Sequence, residues 1–256
     1  VCHGVMLKLA PHVTIIDVTH GIKPQSVREG AMVLAHAVAY MPVGSIHLAI
    51  VDPGVGTTSP AMIVTTADGS VLVGPDNGVL SMAAARLGGA KACYEITNPN
   101  LMLPEPSRTF KGRDIYAPAA AHLACGIAPV EFGREIAVDS IVGLTIAEPR
   151  RHDDHFHSTV LHVDRFGNLQ LNLSSDQMSD IGLSVGSMIE VRIEGHRGLV
   201  TYGEAFGSVP QGELVVAKDS YGLMAVSVNH GSAAERLKAA LGSSVIVGPP
   251  GSGAEE

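Results

Sequence analysis

The sequence contains no tryptophan, and only five phenylalanines and five tyrosines occur in 256 residues. A broad aromatic binding surface is therefore excluded, and any pocket must be built with few rings. Basic residues are also scarce: 17 Lys plus Arg against 25 Asp plus Glu give a formal charge of -8, and no basic run could neutralise a phosphate backbone. Nucleic acid is excluded as the expected partner. Cys2, Cys93 and Cys125 are odd in number and lack CxxC spacing, so they read as buried or idle thiols of a reducing compartment. Apolar stretches are broken by Lys8, His36 or Pro53 before they reach the length of a bilayer span, and no signal-peptide pattern opens the chain. A cytoplasmic chain with no membrane partner is expected.

What is present is globular chemistry. Hydrophobic residues make up 46% and charged residues 16%, with length enough for one or two domains and a sizeable core. Residues 13–18 form a β-branched run. Ser26-Val-Arg-Glu29 is a capping-box pattern ahead of Ala31, Leu34, Ala35 and Val38, whose spacing predicts a helix with one apolar face. Residues 46–51 then form a nearly continuous apolar run, as expected of a strand buried on both faces in a parallel sheet. Residues 62–66 and 71–74 flank Ala67-Asp68-Gly69 and predict a hairpin, a helix follows over 79–87, a strand over 92–96 and an Ala-rich helix over 115–125. The first domain, 1–146, is thus predicted to be α/β with a mostly parallel sheet.

Beyond Glu148-Pro-Arg-Arg-His152 the texture changes to short strands separated by Gly and Ser turns, at 157–163, 169–173, 188–193, 198–202, 213–216 and 224–228. That pattern predicts a smaller, all-β, barrel-like domain over 153–256. A last helix is predicted from the capping box Ser232-Ala-Ala-Glu235, and residues 248–256 read as a loose tail.

Five segments could carry chemistry. Asp52-Pro-Gly-Val-Gly-Thr57 places an acid at the carboxyl end of a buried strand, where open α/β sheets bind ligands, although Asp-Pro-Gly is also ordinary turn chemistry. Pro75-Asp-Asn-Gly78 lies between a strand and a helix, where Asn77 and Gly78 supply a left-handed turn. In Phe110-Lys-Gly-Arg-Asp114, Arg113 and Asp114 are expected to pair while Phe110 and Lys111 face a cleft; a bland surface turn is the alternative. Asp164-Arg-Phe-Gly-Asn168 joins an acid, a ring and a carboxamide, suited to a zwitterionic and partly flat ligand, and a tight turn explains Gly167-Asn168 equally well. His152-Asp-Asp-His155-Phe-His157 is rich in metal-ligand types, but without a helical i, i+4 His pair it reads as a solvated charge cluster. No metal site is expected.

In order along the chain, Asp17-Val-Thr-His20, Val51-Asp-Pro-Gly-Val-Gly-Thr57, Gly74-Pro-Asp-Asn-Gly78, Thr109-Phe-Lys-Gly-Arg-Asp114, Val163-Asp-Arg-Phe-Gly-Asn-Leu169 and Asn229-His-Gly-Ser-Ala-Ala-Glu235 resemble the S-adenosyl-L-methionine (SAM) hydroxide adenosyltransferases. These are adenosine-forming SAM hydrolases related to fluorinases and chlorinases. The resemblance implies a homotrimer with SAM bound between adjacent subunits, no cofactor, and water attack at the ribose 5′ carbon with methionine leaving. It also implies roles: Asp52 as the water-activating acid, Phe110 as a ring beside the ribose, Asp164 and Ser220 as contacts to methionine, Phe166 and Asn168 in the base and amino-acid pocket, and Asn229 at adenine.

Retention of the acid as Asp52 favours water over halide. Two departures stand beside it, because the family's Arg position falls on Ser59 and its His position on Lys111. An ammonium at Lys111 near Asp52 would stabilise the carboxylate and weaken it as a base, so slow hydrolysis is expected. A SAM or adenosine binder that has lost catalysis and a halide-using transferase are the alternatives. The family's preceding strand carries a Thr-Asp-Phe-Gly type segment that holds the ribose hydroxyls, and residues 1–7 resemble the stretch just after it. The chain is therefore expected to lack one strand and its loop, on the order of 20 residues.

Overall fold

The computed structural model describes residues 1–54, 56 and 59–251. Val55 and Thr57 of the first glycine motif, and residues 252–256 of the expected tail, lie outside the described residues. Two compact units divide the chain, Val1–Thr145 and Ile146–Glu256. No helix among the described residues is long and apolar enough to cross a membrane.

The first unit contains helices α1 (Cys2–Leu9), α2 (Val27–Val38), α3 (Ser81–Arg86) and α4 (Ala117–Ala124), and strands β1 (Ile46–Leu48), β2 (Ala61–Thr66), β3 (Val71–Pro75), β4 (Ala90–Glu95) and β5 (Glu135–Ile136). Their order in the sheet is β1-β3-β2-β4-β5. Only β1 and β3 run parallel; β3–β2, β2–β4 and β4–β5 are antiparallel. The expectation of a mostly parallel sheet is therefore corrected. Along β2, Met62 and Val64 face one core with Leu34, Val38 and Leu72, while Ala61 and Ile63 face another with Val73, Tyr116 and Phe132. Burial on both faces makes the strands apolar throughout whichever way they run, so the apolar run at 46–51 carried no information about direction.

The predicted hairpin sets that direction instead. Asp68 closes it by accepting hydrogen bonds from Thr66 Oγ1 at 2.7 Å and from the Ser70 amide at 2.9 Å, and Gly69 takes the left-handed conformation the turn requires (φ 89°). Residues 13–18 enter no ladder, so their β-branched composition does not produce a strand. Ser26 does stand at the N-cap of α2, but its side chain makes no capping bond; Glu29 accepts from the Lys23 amide at 3.4 Å.

The second unit contains β6 (Arg150–His152), β7 (His155–Val163), β8 (Leu169–Ser174), α5 (Ser175–Asp180), β9 (Met188–Ile193), β10 (His196–Tyr202), β11 (Leu214–Lys218), β12 (Leu223–Val228), α6 (Ala233–Leu237) and β13 (Ser244–Gly248). The order β13-β9-β10-β11-β12-β8-β7 closes on itself through β13–β7, giving a seven-stranded barrel, with β6 added along the start of β7. Leu169, Leu171, Leu173, Ile189, Val226 and Val245 fill its interior. Alternation of inward and outward side chains explains why the short strands were readable one by one. The final strand β13 was not among those predicted.

Candidate active site

The segment after β1 is held in place from three sides. Ala49 donates its amide to the Val73 carbonyl at 3.0 Å, the absence of a side chain on Gly74 lets the Ala49 carbonyl pass close, and Asn77 Nδ2 donates to the Val51 carbonyl at 2.7 Å. Asn77 also accepts from the Val79 amide at 3.1 Å, and Asp76 accepts from the Val142 amide at 2.8 Å. The Pro75-Asp-Asn-Gly78 motif is thus a turn that also positions the segment carrying Asp52, which follows β1 and is not part of the strand expected over 46–51.

Asp52 reaches a groove of about 1430 Å³ lined by residues of α1, of segment 13–25, of segment 44–52 and by Phe110. Both carboxylate oxygens of Asp52 are buried, and among the described residues they accept no hydrogen bond. Buried acids are ordinarily paired, so a carboxylate in this state marks a place for a water or a ligand group. The Tyr116 hydroxyl is likewise buried, and it approaches the Asp52 carboxylate without completing a well-formed hydrogen bond. Burial pushes the Tyr116 phenol far above its ordinary pKa, and the Asp52 charge adds to the shift, so its hydroxyl keeps its proton.

Phe110 and Lys111 lead into a distorted turn that carries Tyr116. Residues Gly112–Tyr116 form a single π-helical turn ahead of α4, a local widening often found at functional sites. Arg113 pairs with Asp114 (Nε to Oδ1, 2.6 Å), as expected, and Asp114 also accepts from the Ser107 amide at 2.9 Å. The guanidinium holds the buried Asp114 carboxyl below its usual range against the opposing effect of burial. Phe110 is exposed on the groove, with Arg113 Cζ 5.0 Å from its ring centre.

Lys111 departs from expectation. Its Nζ donates to the Ser59 carbonyl at 2.9 Å, and no ion pair joins it to Asp52 among the described residues. Ser59 Oγ reaches the Asp76 carbonyl at 3.4 Å. Ser59 and Lys111 therefore meet each other, and the lysine side chain supports a backbone oxygen instead of the acid.

In the second unit, Asp164 closes a turn between β7 and β8. It accepts from the amides of Phe166 and Asn168, both at 2.9 Å, and from Asn168 Nδ2 at 2.8 Å. Gly167 sits at φ 81°, and Phe166 stands exposed with Arg165 4.8 Å from its ring centre. Ser220 is exposed in the β11–β12 turn, where Asp219 accepts from the Tyr221 and Leu223 amides at 2.8 and 3.0 Å. Asn229 donates to the Val209 carbonyl at 2.7 Å. Asp164 and Asn168 shape their own loop, whereas Asn229 ties its loop to the segment before β11 and Asp219 also accepts from Gln170 of β8.

Two features had no clear sequence signal. A tyrosine beside an Ala-rich helix reads as core, which hid Tyr116. The histidines of 152–157 were read as a solvated cluster, yet β-pairing places His152, His155 and His157 on one face of a hairpin, with His155 and His157 Nε2 atoms 3.3 Å apart. Of the cysteines, Cys93 is buried with its thiol pushed up to about 11, whereas Cys125 is exposed rather than buried.

The groove thus brings together a buried acid that no described residue pairs by a well-formed hydrogen bond and a phenylalanine just ahead of a π turn. A Salinispora tropica protein named (R)-S-adenosyl-L-methionine hydrolase is 44% identical over 236 residues, covering 92% of this chain and 87% of its own length. A hydrolase of the same name from Thermus thermophilus is 36% identical over 247 residues, and a fluorinase from Nocardia brasiliensis 28% identical over 218. An uncharacterized conserved protein from Thermotoga maritima superposes with a TM-score of 0.90 at 33% identity, over 96% of this chain and 93% of that one. Residues 1–133 match the SAM hydroxide adenosyltransferase N-terminal domain and residues 158–246 its C-terminal domain, so the chain belongs to the SAM hydroxide adenosyltransferase family.

Proposed function

We propose that this protein hydrolyses S-adenosyl-L-methionine to adenosine and L-methionine. The observation that carries the reading is the Asp52 carboxylate, buried at the groove with neither oxygen hydrogen-bonded by a described residue. In this reading Asp52 accepts a hydrogen bond from one water and aims its lone pair at the ribose 5′ carbon. The new C–O bond forms as the C–S bond breaks, the electron pair of that bond returns to the methionine sulfur, and the water's proton passes through Asp52 to solvent. The sulfonium is already a good leaving group, so no redox or group-transfer cofactor is needed. What the protein supplies is a fixed and partly desolvated oxygen nucleophile.

Phe110 would lie against the ribose. Asp164 and Ser220 would meet the methionine end, Phe166 and Asn168 the base and amino-acid pocket, and Asn229 the adenine, in a homotrimer whose neighbouring subunits share each site. Hydrolysis is slow in this reading because Ser59 and Lys111 stand where the family has Arg and His; the ammonium expected at Asp52 donates to the Ser59 carbonyl instead and so does not weaken the acid as a base.

Incubation of the protein with SAM and assay of adenosine tests the proposal. Adenosine above the protein-free blank, lost in Asp52→Asn, supports it. Its absence together with stoichiometric SAM binding by calorimetry would establish a binding protein, the reading favoured by the engaged Lys111. A 5′-halo-adenosine formed with chloride or fluoride would establish halide transfer. Light scattering tests the trimer.

A further inference from the structure

His3 on α1 and His20 ahead of α2 both direct Nε2 at the same oxygen of Asp17, at 2.8 and 3.0 Å. One ligand atom from each residue lies within 4.8 Å of the other two, and this is the one such group of three among the described residues. The histidine ring centres are 6.0 Å apart and tilted by 58°, so the rings converge on the carboxylate without stacking. All three side chains are substantially open to solvent, at 44% for His3, 50% for Asp17 and 78% for His20, and all three line the groove that Asp52 reaches.

The fold does not need this cluster. Helix α1 is anchored by Met6 and Ala10 against Ala117, Ala120 and Ala121 of α4, on residues other than His3. Exposed ion pairs contribute little to stability, and two histidines on one exposed carboxylate oxygen add little more. Two imidazoles and a carboxylate do form a donor set of nitrogen and oxygen suited to a borderline divalent ion. Such an ion takes His nitrogen at roughly 2.0–2.1 Å and carboxylate oxygen at roughly 2.0–2.2 Å, and it leaves a coordination position for water or another ligand. Calcium and magnesium prefer all-oxygen sites and fit this set poorly.

We propose that His3, Asp17 and His20 together bind a zinc-class divalent transition-metal ion at the wall of the groove. This revises the expectation that the chain has no metal site, and it is independent of the hydrolase reading. The ion replaces the two hydrogen bonds, each histidine ligating through the nitrogen that now faces Asp17, with the remaining position open to the groove.

Titrating the full chain with Co2+, followed by visible absorption, and with Zn2+ by calorimetry tests the site. One ion per chain is expected, with affinity at least about tenfold weaker in His20→Ala and in Asp17→Asn, and unchanged in His155→Ala. Because His20 and Asp17 are exposed, both variants should retain the wild-type circular dichroism. His20→Cys should keep cobalt binding and add a thiolate-to-cobalt band in the near ultraviolet. The proposal is overturned if no ion binds, if His20→Ala and Asp17→Asn bind as the wild type does, or if binding is lost in His155→Ala, which would place the ion on the β6–β7 hairpin.

Discussion

Lys111 donates its ammonium to the Ser59 carbonyl at 2.9 Å, and among the described residues no cation pairs with the Asp52 carboxylate. Position 111 is therefore spent on holding the loop that follows Asp52. Replacing the pair should change the acid's surroundings more than it changes the fold. The double variant Lys111→His/Ser59→Arg is expected to raise the rate of adenosine formation on the order of tenfold, by restoring the His and Arg that the family pairs with its acid. A rate equal to or below that of the wild type in a steady-state assay would show that these two positions do not limit the reaction.

Tyr116 supplies a second test. Its hydroxyl is buried near the Asp52 carboxylate without a well-formed hydrogen bond, so Tyr116→Phe should alter thermal stability by less than about 1 kcal/mol. If the hydroxyl helps to orient Asp52 or its water, kcat should fall while KM stays near the wild-type value. Equal kcat in the two proteins would reduce Tyr116 to core filling. Stability has a sign as well. The phenol's pKa is raised in the folded state, so its contribution is intact below the ordinary value of 10.0 and is lost as pH rises above it, a loss that Tyr116→Phe should remove from the alkaline limb of a melting curve.

Glu190 on β9 governs the acid limb of the barrel. Its side chain is 7% exposed and accepts from Arg192 Nε at 2.6 Å, Arg197 Nη2 at 3.2 Å and the Gly251 amide at 3.2 Å. Burial works to raise its pKa, but the two guanidiniums and the amide outweigh it and bring the group to about 2. Stability from this group is therefore present above the unfolded value of 4.5 and declines as pH falls toward 2. Glu190→Gln should cost on the order of 2 kcal/mol at pH 7 and flatten the decline of melting temperature between those two pH values. An unchanged acid limb would remove Glu190 from the account.

Gly167 is the sharpest steric prediction. At φ 81°, a Cβ there would overlap the side chain of Ser232, the N-cap of α6, which accepts from the Glu235 amide at 3.1 Å. Gly167→Ala should destabilise the second unit by about 1–3 kcal/mol and weaken SAM binding through the Asp164 turn. Unfolding by denaturant and calorimetric titration read the two effects separately.

The legible parts of the molecule were those written by local chemistry. Strand β9 has the bounds its apolar alternation predicts, the hairpin around Asp68 was readable from its turn, and Ser232 caps α6 as its spacing implies. Long-range pairing was not legible. Strand direction in the first unit depends on which neighbour β2 selects, and Ser244–Gly248 becomes a strand only because β7 and β9 both offer it a free edge. At the candidate site, the residue types at Asp52 and Phe110 pointed to segments that line one groove, and those at Asp164 to a closed turn. The contacts of Lys111 and the convergence of His3 on Asp17 arise from approach across the fold, which spacing does not encode.

The closure of the barrel by β13 has a consequence for how the protein is made. Ser244 pairs with Thr159 and Val247 with Phe156, so the first long strand of the second unit waits for a strand that follows every other strand of the barrel. Until Ser244–Gly248 emerges from the ribosome, β7 and β9 present open edges that can pair with other nascent chains. The β2–β3 hairpin of the first unit, closed over a short turn, can form as soon as it is synthesised. The first unit can thus begin folding early in translation, while the barrel depends on the synthesis of β13.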